Sequence, residues 1–280
     1  LSRNNDERIG ARQGASTAPV GSSDVFSFST PTEFVDLPTG GKYYPEDHPL
    51  HGKEQVEIRF MTAKDEDILS SKTLLKKGLA IERFLQNVII DKSINTDTLY
   101  IGDKNAILVA ARKTGYGERY STRTTCPSCL TVSDYEFNLS NLGTYYGDDW
   151  EGYDIQSRDD RIFAVTVPQS KVEVEVQLLT SKDEQYLARL TASKKKKNLP
   201  ETGLTDQFRM LIVSVNGHRD SKSIQNFVEG MPARDSRYLR TAYEKVVPNV
   251  DMKQLFSCSS CDFEQEVVVP FTANFFWPKR

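Results

Sequence analysis

The sequence is poor in the side chains that usually do chemistry. Its 280 residues hold three histidines, His48, His51 and His218, and none is spaced against a nucleophile or a carboxylate partner. They read as surface or packing residues. No glycine-rich phosphate loop is present. The paired acids Asp148-Asp149 and Asp159-Asp160 fall in loop-like sequence, where carboxylates are solvated. With no candidate nucleophile, base or phosphate cradle, a non-enzymatic role is expected.

Long apolar runs are missing too. No stretch approaches the roughly 20 residues that a membrane span needs, and the start has no pattern of a secretory signal. An intracellular setting, with thiols kept reduced, is therefore expected. Charge of one sign is also lacking: 36 Lys and Arg face 39 Asp and Glu, a formal net charge of −3. No strong field points to nucleic acid or to an anionic membrane. The one basic run, Lys194 to Lys197, reads as a solvated loop.

The first 30 residues are rich in Ser, Gly, Ala and charge and have little to bury, so 1–30 is expected to be an extended arm that a partner orders. From Phe34 the composition changes. Val56, Ile58 and Phe60 alternate as in a strand, and Thr62-Ala63-Lys64-Asp65 has the form of a helix N-cap. Helical spacing continues to about Ile90, with a break near Gly78. Asp103 to Lys113 is a further helix, and strands near Arg119–Thr124 and Thr131–Asn138 flank Cys126-Pro127-Ser128-Cys129.

That order recurs. Lys171 to Leu179 alternates as a strand, and Thr180-Ser181-Lys182-Asp183-Glu184 echoes the first cap. Helices are predicted at Lys182–Ser193, Asp206–Val215 and Ala233–Val246. Phe208 to Val213 corresponds to Phe84 to Ile89, and Leu239 and Ala242 to Leu108 and Ala111. The copy ends at Cys258-Ser259-Ser260-Cys261. The expected fold is α+β, with two tandem pseudo-repeats of strand, helices and C-x-x-C hairpin. They cover 31–142 and 171–280 and are joined by a linker at 143–170. Insertions near the lysine run and near Gly217–Lys222 account for the drift in spacing.

Cysteine is scarce, and its placement is the sharpest signal. The four residues Cys126, Cys129, Cys258 and Cys261 form two C-x-x-C pairs with none left over. Two residues between cysteines in a tight turn let both sulfurs face one centre, and two such turns complete a tetrahedron. One structural zinc ion, tying the equivalent hairpins together, is the expectation. An iron–sulfur cluster uses the same ligands, and free or redox-active thiol pairs are the remaining alternative.

The end of the chain carries Phe271, Phe275, Phe276 and Trp277. Such aromatics either cover the chain's own core or anchor in a neighbouring subunit, so Phe275, Phe276 and Trp277 are candidate partner-binding residues.

Three blocks carry a family resemblance: Leu37 to Pro45 (Leu-Pro-Thr-Gly-Gly-Lys-Tyr-Tyr-Pro), His48 to Lys53, and Glu57 to Leu69. With the closing hairpin and Phe275-Phe276-Trp277-Pro278, they resemble the baseplate hub subunit family of T-even-type contractile-tailed bacteriophages. The match covers most of 31–280. It implies a virion protein at the distal end of the tail, assembled in the host bacterial cytoplasm. Its partners would be other baseplate, hub and tail-tube proteins in a symmetric, multi-copy assembly. Neither nucleic acid nor membrane would be bound. The alternative class is a zinc-ribbon nucleic-acid-binding or transcription-related protein. It needs a basic face at the cysteines, where Arg119 and Arg123 stand against Asp262, Glu264 and Glu266.

Overall fold

Alternating apolar residues decide the faces of the first hairpin. β1 (Thr32–Asp36) and β2 (Gln55–Arg59) pair antiparallel, with Val35 opposite Val56 and Glu33 opposite Ile58. Val35, Val56 and Ile58 turn inward and are buried. The structure, a computed structural model, describes residues 30–159, 161–270 and 275–276. The expected arm at 1–30 falls, but for Thr30, outside the described residues.

Thr62 opens α1 (Ala63–Ser70) with a reciprocal cap: its N–H and hydroxyl both donate to Asp65, at 2.9 and 2.8 Å. α2 (Lys72–Lys77) closes on Gly78, whose φ of 68° suits a residue without a Cβ. α3 (Ala80–Val88) buries Phe84, Leu85 and Val88, and Ile89 then returns to bridge Ile58. α4 (Ile101–Tyr116) crosses the core, burying Ile107, Leu108 and Ala111. β3 (Arg119–Thr125) and β4 (Val132–Asn138) form the first cysteine hairpin.

Residues 143–170 are not a linker. They hold β5 (Gly143–Tyr145), β6 (Ile155–Asp159) and β7 (Ile162–Thr166). β7 pairs with both β6 and β8 (Glu173–Gln177). Phe163, Ala164 and Val165 are all buried, so this strand is covered on both faces. Its sequence is a short apolar run without alternation, which is why its role was hidden among glycines, acids and tyrosines.

α5 (Ser181–Lys196) starts from Thr180 with the same reciprocal cap onto Asp183. Its last turn contains Lys194, Lys195 and Lys196, expected in a loop but here at the helix end that favours cations. Lys194 reaches Asp206 at 2.5 Å. α6 (Gly203–Leu211) ends before Ile212, and the expected helix over 206–215 gives way to β9 (Ile212–Val215). β-branched Ile212, Val213 and Val215 fit the sheet edge beside β8 better than a helix. The sheet order is β6-β7-β8-β9, antiparallel throughout.

α7 (Ser221–Gly230) occupies part of the expected insertion, capped by Asp220 onto the Ser223 N–H at 2.9 Å. α8 (Ala233–Val246) buries Leu239, Ala242 and Val246. β10 (Asn249–Asp251) pairs with β5. β11 (Lys253–Ser257) and β12 (Glu264–Val268) form the second cysteine hairpin.

The α+β chain described from Pro31 on is one compact unit with one main core. Phe84 and Leu108 share that core with Val165, Val176 and Leu239. Burying one such side chain contributes about 1.5–3 kcal/mol. The seam between the halves is also bonded. Ser181 N–H donates to Leu99 O at 2.7 Å, and Ile101 N–H to Leu179 O at 3.3 Å. Lys104 of α4 is paired with Glu184 of α5. Gly102 lies so close to the second half that a Cβ would come 2.0 Å from Pro248 O.

Candidate metal centre

The two cysteine turns have one backbone design. In the first, Cys126 N–H donates to Thr131 O and Leu130 N–H to Cys126 O, at 2.9 and 3.0 Å. In the second, Cys258 N–H donates to Phe263 O and Asp262 N–H to Cys258 O, at 2.9 and 3.1 Å. Each turn passes through a left-handed residue, Leu130 at φ 59° and Asp262 at φ 53°. The strands before and after each turn supply the registers that hold it.

All four sulfurs converge. Cys126 Sγ is 3.8 Å from Cys261 Sγ, and Cys129 Sγ is 3.8 Å from Cys258 Sγ. All four lie within 4.8 Å of one another. A tetrahedral ion with Zn–S near 2.3 Å sets its sulfurs about 3.8 Å apart. The donor set therefore fits a four-thiolate metal ion. Cys126 and Cys258 are buried, while Cys129 and Cys261 are exposed. Each hairpin thus contributes one buried and one exposed sulfur.

Local donors tune the thiols. The Thr131 hydroxyl and N–H lower the Cys129 thiol to about 6. The Ser260 N–H, 3.4 Å from Cys258 Sγ, lowers that thiol as well. The Phe263 N–H favours a Cys261 thiolate, but neighbouring sulfurs outweigh it and hold Cys261 up at about 12. Four thiolates cannot crowd together without a cation to absorb their charge.

The hairpins are also held by their own packing. Tyr135 packs edge-to-face on Phe137 and tilted against Phe256, both at 4.8 Å, and its hydroxyl donates to Leu255 O. Gln254 bonds Asn138 through both its amide atoms. Phe256, Cys126 and Cys258 form a small core of their own. The arginines near the first turn face acids, Arg119 toward Glu136 and Arg123 toward Asp134. They do not make a free basic face.

The C-terminal aromatics lie elsewhere. Phe275 and Phe276 are 1% and 2% exposed. Their rings pack on Tyr120 and Phe84, at 5.1 and 5.4 Å, so within this chain they fill its own core. Trp277 lies outside the described residues. Of the histidines, His48 stacks on Tyr44 at 4.4 Å, His51 is exposed with its Nδ1 bonded to Tyr44 O at 2.7 Å, and His218 is exposed in the turn after β9.

Three buried charges escaped the sequence reading. Asp103 accepts from Thr39 N–H, Thr39 Oγ1 and Tyr44 OH, at 3.0, 2.7 and 2.7 Å. Asp235 accepts from Gln169 N–H and Ser170 N–H, at 2.7 and 2.9 Å. Each is the third residue of a helix and ties down the turn Leu37-Pro38-Thr39 or Val167-Pro168-Gln169. Arg112 bonds the carbonyls of Phe275, Gly117 and Arg119. A shared hydrophobic-Pro-polar tripeptide between the two strands of each pair was the signal available for the two acids.

Among the described residues no helix is long and apolar enough to cross a membrane. A family model described as T4 bacteriophage base plate protein matches residues 31–277. No curated protein and no solved structure matches the chain.

Proposed function

The chain belongs to the T4 bacteriophage base plate protein family, and from that premise we propose that it is the hub-type subunit joining the hub and tail tube to the surrounding baseplate. The family match across 31–277 carries this reading. The compact fold supports it. Backbone hydrogen bonds across the seam, the Lys104–Glu184 pair and a sulfur cluster join the two halves into a block suited to transmitting force during contraction. In this role the protein is assembled in the host cytoplasm and occurs in several symmetry-related copies.

The metal is zinc, bound by Cys126, Cys129, Cys258 and Cys261 as a closed structural site. A full set of four protein ligands leaves no position for water, so no reaction is assigned to it. The 3.8 Å sulfur spacings support a single tetrahedral ion in place of a multi-iron cluster.

The fold arose by tandem duplication. Three equivalences support this beyond the cysteines. Both strand pairs lead into a Thr-to-Asp capped helix. In both, a later helix, α3 or α6, returns the chain to the outer edge of the second strand, Ile89 at Ile58 and Ile212 at Val176. In both, a buried helix-start aspartate holds the turn between the strands. Matching Asp103 with Asp235 pairs Ile107 with Leu239, one residue from the register expected on sequence.

Purified tails from particles encoding a tagged full-length chain test the role. The tag should be found at the distal end, and deletion should yield tails without complete baseplates. Normal, infectious tails lacking the chain would sink the reading. Metal analysis of the purified protein should give one zinc per chain and no iron.

A further inference from the structure

The seam between the halves holds two carboxyls on one donor. Glu82 of α3 is 8% exposed, and its Oε1 is buried with no hydrogen-bond partner. Its Oε2 accepts from Gln185 Nε2 of α5 at 2.5 Å. The same nitrogen donates to Asp97 Oδ1, in the turn Thr96–Thr98, at 3.1 Å. Arg189 donates to Gln185 Oε1 at 3.0 Å, which fixes the amide with its nitrogen toward the two acids. One side-chain amide of the second half thus serves two carboxyls of the first.

Among the described residues no cation makes up the shortfall. Lys104 of α4 is the buried ammonium here, and it is paired with Glu184 of α5. Arg189 is turned to the Gln185 oxygen. Lys76 and Lys77 of α2 are exposed on the rim of a cavity of about 650 Å³, which Glu82, Lys104 and Gln185 also line. A buried carboxylate with one bare oxygen is costly, and a neutral carboxyl is far less so. A neutral Glu82 can also share its proton with Asp97, whereas two carboxylates beside one amide repel. Burial holds the Glu82 carboxyl above its ordinary range. Asp97 pushes the same way, and Thr96 and Lys104 pull against it.

The backbone bonds of the seam begin at this cluster. Gln185 lies one turn into α5, whose first residue, Ser181, gives its N–H to Leu99 O at 2.7 Å. Leu99 directly follows the turn that carries Asp97. Ile101 N–H then donates to Leu179 O at 3.3 Å.

We infer that Glu82 and Asp97 hold one proton between them, and that this proton latches the start of α5 to the first half. When it leaves to solvent through the cavity, two carboxylates face one amide and the seam loosens. The folded chain keeps a proton that the unfolded chain gives up. Stability therefore falls as pH climbs from the unfolded glutamate value, about 4.3, to the folded one. The latch is a property of this chain and does not depend on the baseplate role.

Hydrogen exchange of the Ser181 and Ile101 amides in the full-length protein tests this, read as protection factors. Burial lowers Lys104 to about 8, so the useful range lies below that value. Between about pH 5 and about pH 7.5, protection of the two amides should fall on the order of tenfold. Leu37 and Val167, whose amides are bonded within their own halves, should keep their protection. Glu82→Gln places a permanently neutral donor beside Asp97. It should match wild type at the acid end and stay protected at the other. No loss in wild type, a parallel loss in Glu82→Gln, a variant loosened at every pH, or an equal loss at Leu37 and Val167 would each overturn the inference. The carboxyl carbon NMR signal of Glu82 in the wild type gives a second reading. It should titrate above the ordinary value of about 4.3, and titration at or below it would sink the latch.

Discussion

Arg112 Nε donates a 2.7 Å hydrogen bond to the carbonyl of Phe275, 163 residues further along the chain. The guanidinium is buried and also holds the carbonyls of Gly117 and Arg119. One planar cation thus fastens the C-terminal aromatics, the end of α4 and the start of the first cysteine hairpin. Burial lowers its affinity for a proton, yet three carbonyl acceptors keep the charge useful.

Arg112→Ala should therefore cost about 3 kcal/mol or more, since hydrogen bonds to charged groups each contribute about 1.5–3 kcal/mol. Arg112→Lys should fall in between, because an ammonium cannot reach three carbonyls in one plane. Urea unfolding measures both. Wild-type stability of Arg112→Ala would refute the clasp.

The two capping aspartates should differ in weight. Asp65 accepts from Arg59 through two bonds of 2.7 and 2.9 Å, and from Thr62 and Asn87. Asp183 has only its Thr180 cap among the described bonds. Asp65→Asn should cost about 3 kcal/mol, as for breaking a buried pair, and Asp183→Asn about 1 kcal/mol. Equal losses in thermal melts would contradict this.

The same pair predicts a pH dependence. Burial opposes ionisation of Asp65, but Arg59, Thr62 and Asn87 hold its carboxyl below the ordinary range. Its folded-state pKa is lowered, so its contribution is present above the unfolded value of about 4 and is lost as pH falls through the folded one. Stability of the wild type should drop below about pH 4 more steeply than that of Asp65→Asn. Parallel curves would count against the assignment.

Removing one ligand should release the metal without dissolving the fold. Cys261→Ser, or chelation of the wild type, should lower the unfolding temperature by on the order of 10 °C, because metal binding adds to folding free energy. Helical circular dichroism should survive at ordinary temperature, since Gln254 and Asn138 still join the hairpins. Full metal retention by Cys261→Ser would speak against a four-sulfur site.

Leu130 is exposed and left-handed, at φ 59°. Leucine gains nothing there and bears a steric cost of about 1–2 kcal/mol, part of which glycine would return to the unfolded chain. Leu130→Gly should therefore raise stability by up to about 1 kcal/mol, while Leu130→Ala should not. A gain from Leu130→Ala would show that the strain lies elsewhere.

Sequence alone determined the elements whose signals are local. The Thr-to-Asp spacing announced α1 and α5 because a cap is satisfied within four residues. The C-x-x-C pairs announced the four sulfurs that converge, because two residues in a tight turn aim both thiols of a pair at one centre. Sequence order could also pair the two hairpins. Tertiary structure decided what depended on distant partners. β7 became a central strand only because β6 and β8 lie on either side of it. Ile212 to Val215 left the helical pattern because β8 offered an edge, and a paired strand outweighs a weak local preference. Phe275 and Phe276 turned inward because Tyr120, Phe84 and Arg112 form a place for them, and no local pattern in nine closing residues encodes a pocket built more than 150 residues earlier.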